Sequence, residues 1–152
     1  MEPNEIQTAL DAAVEEVLET MFFTTVLASA EGVVPPDGDG GPPPVIAELR
    51  FEGNPPGGFR VGVPMKLARV AGAVFLGREE EELSDAQAGE VVCELANMIC
   101  GSVLSRLESD TAFQLTHPEL VPPESASFQG ASRWFDLGDG ILTAALELRQ
   151  IV

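Results

Sequence analysis

The chain has 152 residues, with 25 acidic against 8 basic side chains and a formal net charge of −17. That length, with 45% hydrophobic residues, fits a folded domain spanning 1–152 with a real core. The acid surplus repels phosphate backbones and anionic lipid surfaces, so nucleic acid and membrane surfaces are disfavoured as partners.

The opening Met1-Glu-Pro-Asn-Glu5 is acidic and polar where a secretory signal is basic and then apolar. The longest apolar candidate, Val61 to Gly77, is interrupted by Lys66 and Arg69, short of a membrane span. A cytoplasmic protein is therefore expected. Pro3 to about Thr24 reads as a first helix, capped by Asn4, with Ile6, Leu10, Val14, Val17 or Leu18, and Met21 or Phe22 at helical spacing. From Ala30 to Pro44 prolines, glycines and aspartates predict a flexible loop. Its Asp37-Gly-Asp39 lacks the further oxygen ligands of a calcium site.

Val45 to Glu52 and Phe59 to Val63 read as two strands joined by the turn Gly53–Gly58. Pro64 opens a second helix, apolar nearly all round and so expected to be buried, which Gly77 ends. After the charged connector Arg78–Glu82, Ser84 and Gln87 have the spacing of a capping box. They start a long helix over Asp85 to Glu108. Strand-like segments follow at Thr111–Val121, Ser127–Leu137 and Gly140–Ile151, the last two joined by a hairpin turn at Leu137-Gly-Asp-Gly140. Helices and strands in segregated runs predict an α+β (mixed α/β) domain, with helices packed on a mainly antiparallel sheet.

Several chemistries find no residues to carry them. The single histidine, His117, sits in Thr-His-Pro, reads as an ordinary loop or strand-end residue, and has no Gly-x-Ser-x-Gly elbow to serve. No phosphate-loop motif follows the glycines of the hairpin. Cys93 and Cys100 lie seven residues apart on one predicted helix, roughly 10 Å along its axis, too far for a disulfide. They read as small apolar core residues.

The long helix carries the sharpest pattern. At about 100° per residue, Glu90, Glu94, Asn97 and Gly101 fall within roughly 60° of one another. Val92, Leu95, Ala96, Ile99 and Val103 occupy the opposite side and predict the face that packs on the core. A carboxylate and an amide three residues apart are surface neighbours, and Gly101 leaves room for another molecule.

The segment Gly89-Glu-Val-Val-Cys-Glu-Leu-Ala-Asn-Met-Ile-Cys-Gly-Ser102 resembles the signature helix of the CheX-like chemotaxis phosphatases, within the CheC/CheX/FliY group. Glu94, Asn97 and Gly101 match its Glu-x-x-Asn and following glycine, and Leu115-Thr-His-Pro118-Glu-Leu-Val121 resembles the strand after it. The resemblance implies hydrolysis of the aspartyl phosphate of a CheY-like receiver. Asn97 would orient the attacking water and Glu94 would pair with the receiver's lysine, as the catalytic residues, with Glu90 and Gly101 at the partner surface. It implies Mg²⁺ in the receiver and no cofactor in this chain, and a homodimer. The chain has one Glu-x-x-Asn copy, as CheX types do, and Glu90 where CheC relatives carry Asp or Ser. Its acidity opposes docking on a receiver's acidic site unless the charge lies away from the ridge. Two other readings remain beside the phosphatase. One is a non-catalytic binding or scaffold domain for a receiver or motility component; the other is an unrelated acidic interaction protein.

Overall fold

A computed structural model describes residues 3–32, 44–53, 55–107, 112–122 and 130–149. Its elements, in chain order, are helix α1 (Pro3–Met21), strands β1 (Ala28–Glu31), β2 (Val45–Glu52) and β3 (Gly57–Val63), and helix α2 (Met65–Leu76). Then come a 3-10 turn (Glu80–Glu82), helix α3 (Asp85–Leu107) and strands β4 (Gln114–Leu115), β5 (Glu119–Val121), β6 (Ala131–Asp136) and β7 (Ile141–Leu148). The seven strands form one sheet in the order β1-β6-β7-β3-β2-β4, and β5 pairs β2 beside β4. Every pairing is antiparallel. The expected α+β architecture is the observed one.

Strand alternation decides which face the helices cover. In β2, Ala47, Leu49 and Phe51 are buried, while Glu48 and Arg50 between them face the other way and form an ion pair. In β3, Phe59, Val61 and Val63 are buried, and Arg60 reaches back to Glu48 across the strand pair. The buried residues of these strands, with Phe135 of β6 and Leu142, Ala144 and Leu146 of β7, join the apolar faces of the helices in one core. Helix α1 lies over β6, where Gln7 donates to the Ser132 carbonyl and Arg133 pairs with Asp11.

Several local readings hold. Pro64 stands before the first turn of α2, and Gly77 ends that helix in the left-handed conformation at φ 66°. The hairpin turn forms as expected, with Gly138 at φ 89° and the Leu137 N–H donating to the Gly140 carbonyl at 2.9 Å. Other readings need correction. Helix α2 is not buried all round: Leu67, Ala68 and Gly72 face inward, whereas Val74 and Leu76 are 42% and 43% exposed. Helix α1 stops three residues early, because Phe23 turns into the left-handed region at φ 50° and the Thr24 N–H donates back to the Leu18 carbonyl. No glycine marks that stop.

Strand β1 lies at the edge of the span expected to be a loop; most of that loop, with Asp37 and Asp39, falls outside the described residues, as does Glu108. The span from Thr111 to Val121 is two short strands rather than one, and its first residue lies outside the described set. The last two segments shorten to β6 and β7, and their outer ends, Ser127 and Ile151, also lie outside it.

Gly57 sits where β3 begins its antiparallel pairing with β7, opposite Leu148. A Cβ there would stand 2.1 Å from the Glu147 carbonyl oxygen and 2.7 Å from the Phe51 ring. Backbone cannot step aside as a side-chain tip can, so Gly57→Ala is expected to lower the unfolding free energy by about 2–3 kcal/mol. Urea denaturation of the two proteins checks this; an unchanged midpoint contradicts the packing described.

Candidate functional site

Helix α3 is held at both ends and along one side. The Ser84 N–H donates to Gln87 Oε1 at 2.9 Å and the Gln87 N–H to Ser84 Oγ at 3.1 Å, a reciprocal capping box. Arg69 of α2 donates to the Leu83 carbonyl at 2.6 Å and pairs with Asp85, and Arg106 near the other end pairs with Glu16 of α1. Val91, Val92, Leu95, Ala96, Ile99, Val103 and Leu104 are buried against α1, α2, β2 and β3. Among the described helices α3 alone is long and apolar enough to cross a membrane; 56% of its most apolar window is buried inside the protein.

The opposite side is the ridge the periodicity predicts. Glu90, Glu94 and Asn97 are exposed. Among the described residues none hydrogen-bonds their side chains, so the two carboxylates and the amide keep their full capacity for a partner. Gly101 is half-buried, and a Cβ placed on it meets nothing within 4 Å, so open space flanks the ridge at that turn.

The ridge is one side of a groove of about 610 Å³. Glu90, Cys93, Glu94 and Asn97 line it from α3, and the stretch from Leu115 to Leu120 forms the facing wall. That wall is anchored from behind. Strands β4 and β5 pair different parts of β2, Phe51–Glu52 and Ile46–Glu48 respectively. Between them the Arg50 N–H donates to Thr116 Oγ1 at 2.9 Å, and the Thr116 N–H donates to the Arg50 carbonyl at 2.8 Å. Gly89, one residue before Glu90, lets the wall approach: a Cβ there would lie 2.6 Å from Leu120 Cδ1.

His117 is accordingly both the loop residue expected and a lining residue of this groove. Cys93 departs from the core reading. It is half-buried and lines the groove, whereas Cys100 is buried. Both thiols are free. Burial pushes the Cys93 thiol above its ordinary value, and the negative charges of Glu90, Glu94 and Glu119 push it further. Burial alone raises Cys100 to about 12. No group of three or more His, Cys, Asp or Glu among the described residues is arranged to hold a metal ion. A second opening, between α2, α3 and the β3–β7 side, is an apolar cavity of about 40 Å³, little more than one water's room.

The site of this α+β domain is an open groove beside an exposed carboxylate and amide on the free face of a packed helix. The family model of the chemotaxis phosphatase CheX matches residues 45–133, a span that includes α3 and the whole groove wall. The chain belongs to the CheX family. The CheX protein of Desulfovibrio desulfuricans has a similar structure, with TM-score 0.72 and 20% identity over 95% of this chain and 99% of that one. The CheX of Borrelia burgdorferi, solved as a complex with CheY, BeF3 and Mg, is similar at TM-score 0.71 and 18% identity, over 95% and 97% of the two chains. FliY of Thermotoga maritima is a more distant likeness, with TM-score 0.61 and 14% identity over 97% and 91%. A comparison with curated protein sequences finds no match.

The thiols give the groove a chemical test. A raised pKa leaves less thiolate at any given pH, so alkylation of Cys93 is expected to be slow at neutral pH and to accelerate only above the usual thiol range. One label per native chain is expected, because Cys100 is buried. Replacing Glu90 and Glu94 together by Gln is expected to shift the pH profile of labelling downward. A profile that stays put places those carboxylates away from the thiol.

Proposed function

We propose that this protein accelerates hydrolysis of the aspartyl phosphate on a CheY-like receiver, with Asn97 and Glu94 as its two working side chains. The observation that carries this reading is their placement: adjacent, exposed and without partners on a helix that the core immobilises, within a CheX-family chain. The Borrelia burgdorferi relative crystallised with CheY supports a receiver as partner.

In the reaction, water oxygen attacks phosphorus, the bond from phosphorus to the aspartyl oxygen breaks, and the receiver's carboxylate and inorganic phosphate are left. Asn97 contributes orientation. Its amide oxygen accepts a hydrogen from the water and its NH₂ donates to an oxygen of the reacting group, which holds the nucleophile in line. Glu94 accepts a hydrogen bond from the receiver's lysine and sets the register of the two proteins. Glu90 and Gly101 border the docking surface, one extending the acidic ridge, the other keeping it clear. The Mg²⁺ that balances the phosphoryl charge belongs to the receiver in this scheme, and the chain brings no cofactor of its own.

The reading carries two further expectations. One is that 1–152 acts as a single domain in the cytoplasm, where a phosphorylated receiver is met. The other is a homodimer, for which β1 offers one sheet edge and β4 and β5 the other.

Asn97→Ala is expected to remove the acceleration, by about a hundredfold or more, while leaving the fold intact. Phosphate release from a purified phosphorylated receiver, beside circular dichroism of both proteins, measures it. An unchanged rate sinks the phosphatase reading. Glu94→Ala is expected to weaken receiver binding about tenfold. Light scattering is expected to give twice the chain mass.

A further inference from the structure

The ridge accounts for only one side of the groove, and the chemistry of that side is one-signed. Glu90 and Glu94 present carboxylates from α3, Cys93 lies between them, and Glu119 of β5 adds its charge to theirs at the thiol. Carboxylates accept hydrogen bonds and donate none. A phosphoryl group, itself an anion ringed by a receiver's acidic residues, is repelled by such a surface unless something in the groove donates.

Only a few groups lining the groove can donate. Asn97 has its NH₂, Cys93 a weak S–H, and Thr116 a hydroxyl whose oxygen is already held by the Arg50 N–H. The imidazole of His117 is the other strong donor, and it carries at least one N–H in either protonation state. Among the described residues it is also the one groove-lining side chain able to bear positive charge. Among the described residues no group hydrogen-bonds His117.

Its position is built rather than incidental. The three residues Thr116, His117 and Pro118 bridge β4 and β5, and both strands are hydrogen-bonded to β2. Thr116 is tied to Arg50 through backbone and side chain together. The Cδ of Pro118 clashes with an α-region backbone at the residue before it, which restricts His117 to extended conformations. The chain thus holds the histidine at the groove facing the ridge, on a segment pinned at both ends.

We infer that His117 is the side chain through which the groove distinguishes a phosphorylated receiver from an unphosphorylated one. Resting on the proposed function, the inference adds selectivity to that site. An imidazole N–H donates to a phosphoryl oxygen, while Asn97 engages the water and Glu94 the lysine. His117 is therefore a recognition residue, and its contribution is to affinity for the charged form.

Binding measured by calorimetry tests this without turnover. The probe is a purified CheY-like receiver, taken either bare or loaded with beryllofluoride and Mg²⁺ as a stable mimic of the phosphorylated state. His117→Ala is expected to weaken binding of the loaded receiver about threefold to tenfold, and to change binding of the bare receiver less than about twofold. His117→Gln, which keeps an N–H donor, is expected to recover most of the loss. In steady state the alanine variant is expected to raise KM by the same factor and leave kcat unchanged.

Equal affinity of wild type and His117→Ala for the loaded receiver overturns the inference. So does an equal loss for both receiver forms, which marks His117 as packing for the wall. Failure of the wild type to bind the loaded receiver overturns it as well. A wild type that binds the loaded receiver selectively through His117 but never speeds phosphate loss defeats the catalytic reading alone.

Discussion

Burial of one side of α3 is the constraint on which the remainder of the structure depends. The helix carries Leu95, Ile99, Val103 and their neighbours into a core shared with the sheet and both other helices. Once that face is packed, rotation about the helix axis is lost, since a turn of one residue would carry Glu94 into the buried place of Leu95 and Ala96 into the exposed place of Asn97. Burying an unpaired carboxylate costs several kcal/mol, far beyond any local adjustment. The ridge is thus positioned by the chemistry of the side it does not share. Capping at Ser84 and the ion pairs of Arg69 and Arg106 prevent sliding along the axis.

The same core sets the groove. Because β4 and β5 both pair β2, and β2 packs under α3, the Leu115–Leu120 stretch is drawn to the exposed flank of the helix. Gly89 removes the one side chain that would hold it off. What results is a cleft with the carboxylates of Glu90 and Glu94 on one side and the imidazole of His117 on the other. A protein of net charge −17 approaching an acidic partner needs such local complementarity, since long-range attraction is absent.

Much of this is legible in the amino-acid sequence. Periodicity alone separates Glu90, Glu94, Asn97 and Gly101 from the apolar stripe, because 3.6 residues per turn is a property of the helix and not of its surroundings. The Ser84–Gln87 cap, the stop at Gly77 and the turn at Gly138 are equally local, each a matter of a few residues and their preferred dihedrals. Where sequence and structure differ, the deciding contacts are distant in the chain. Strand β1 is four residues with no apolar run of their own, and it exists because β6 offers an edge. The excess greasiness of α2 did not translate into burial, since only one of its sides meets α3 and the core.

Sequence by itself therefore determined the three helices, the β2–β3 hairpin, the α+β class and the two faces of α3, which are set by interactions within one or two turns of chain. It also carried the Glu-x-x-Asn pattern through which family resemblance was visible. Tertiary structure decided what stands opposite that pattern. Arg50 and Thr116 are 66 residues apart in the chain, and their hydrogen bond helps place His117 beside the ridge. No local propensity encodes that distance. It follows from strand pairing across the sheet, where the partner of each edge is chosen by how the whole core closes.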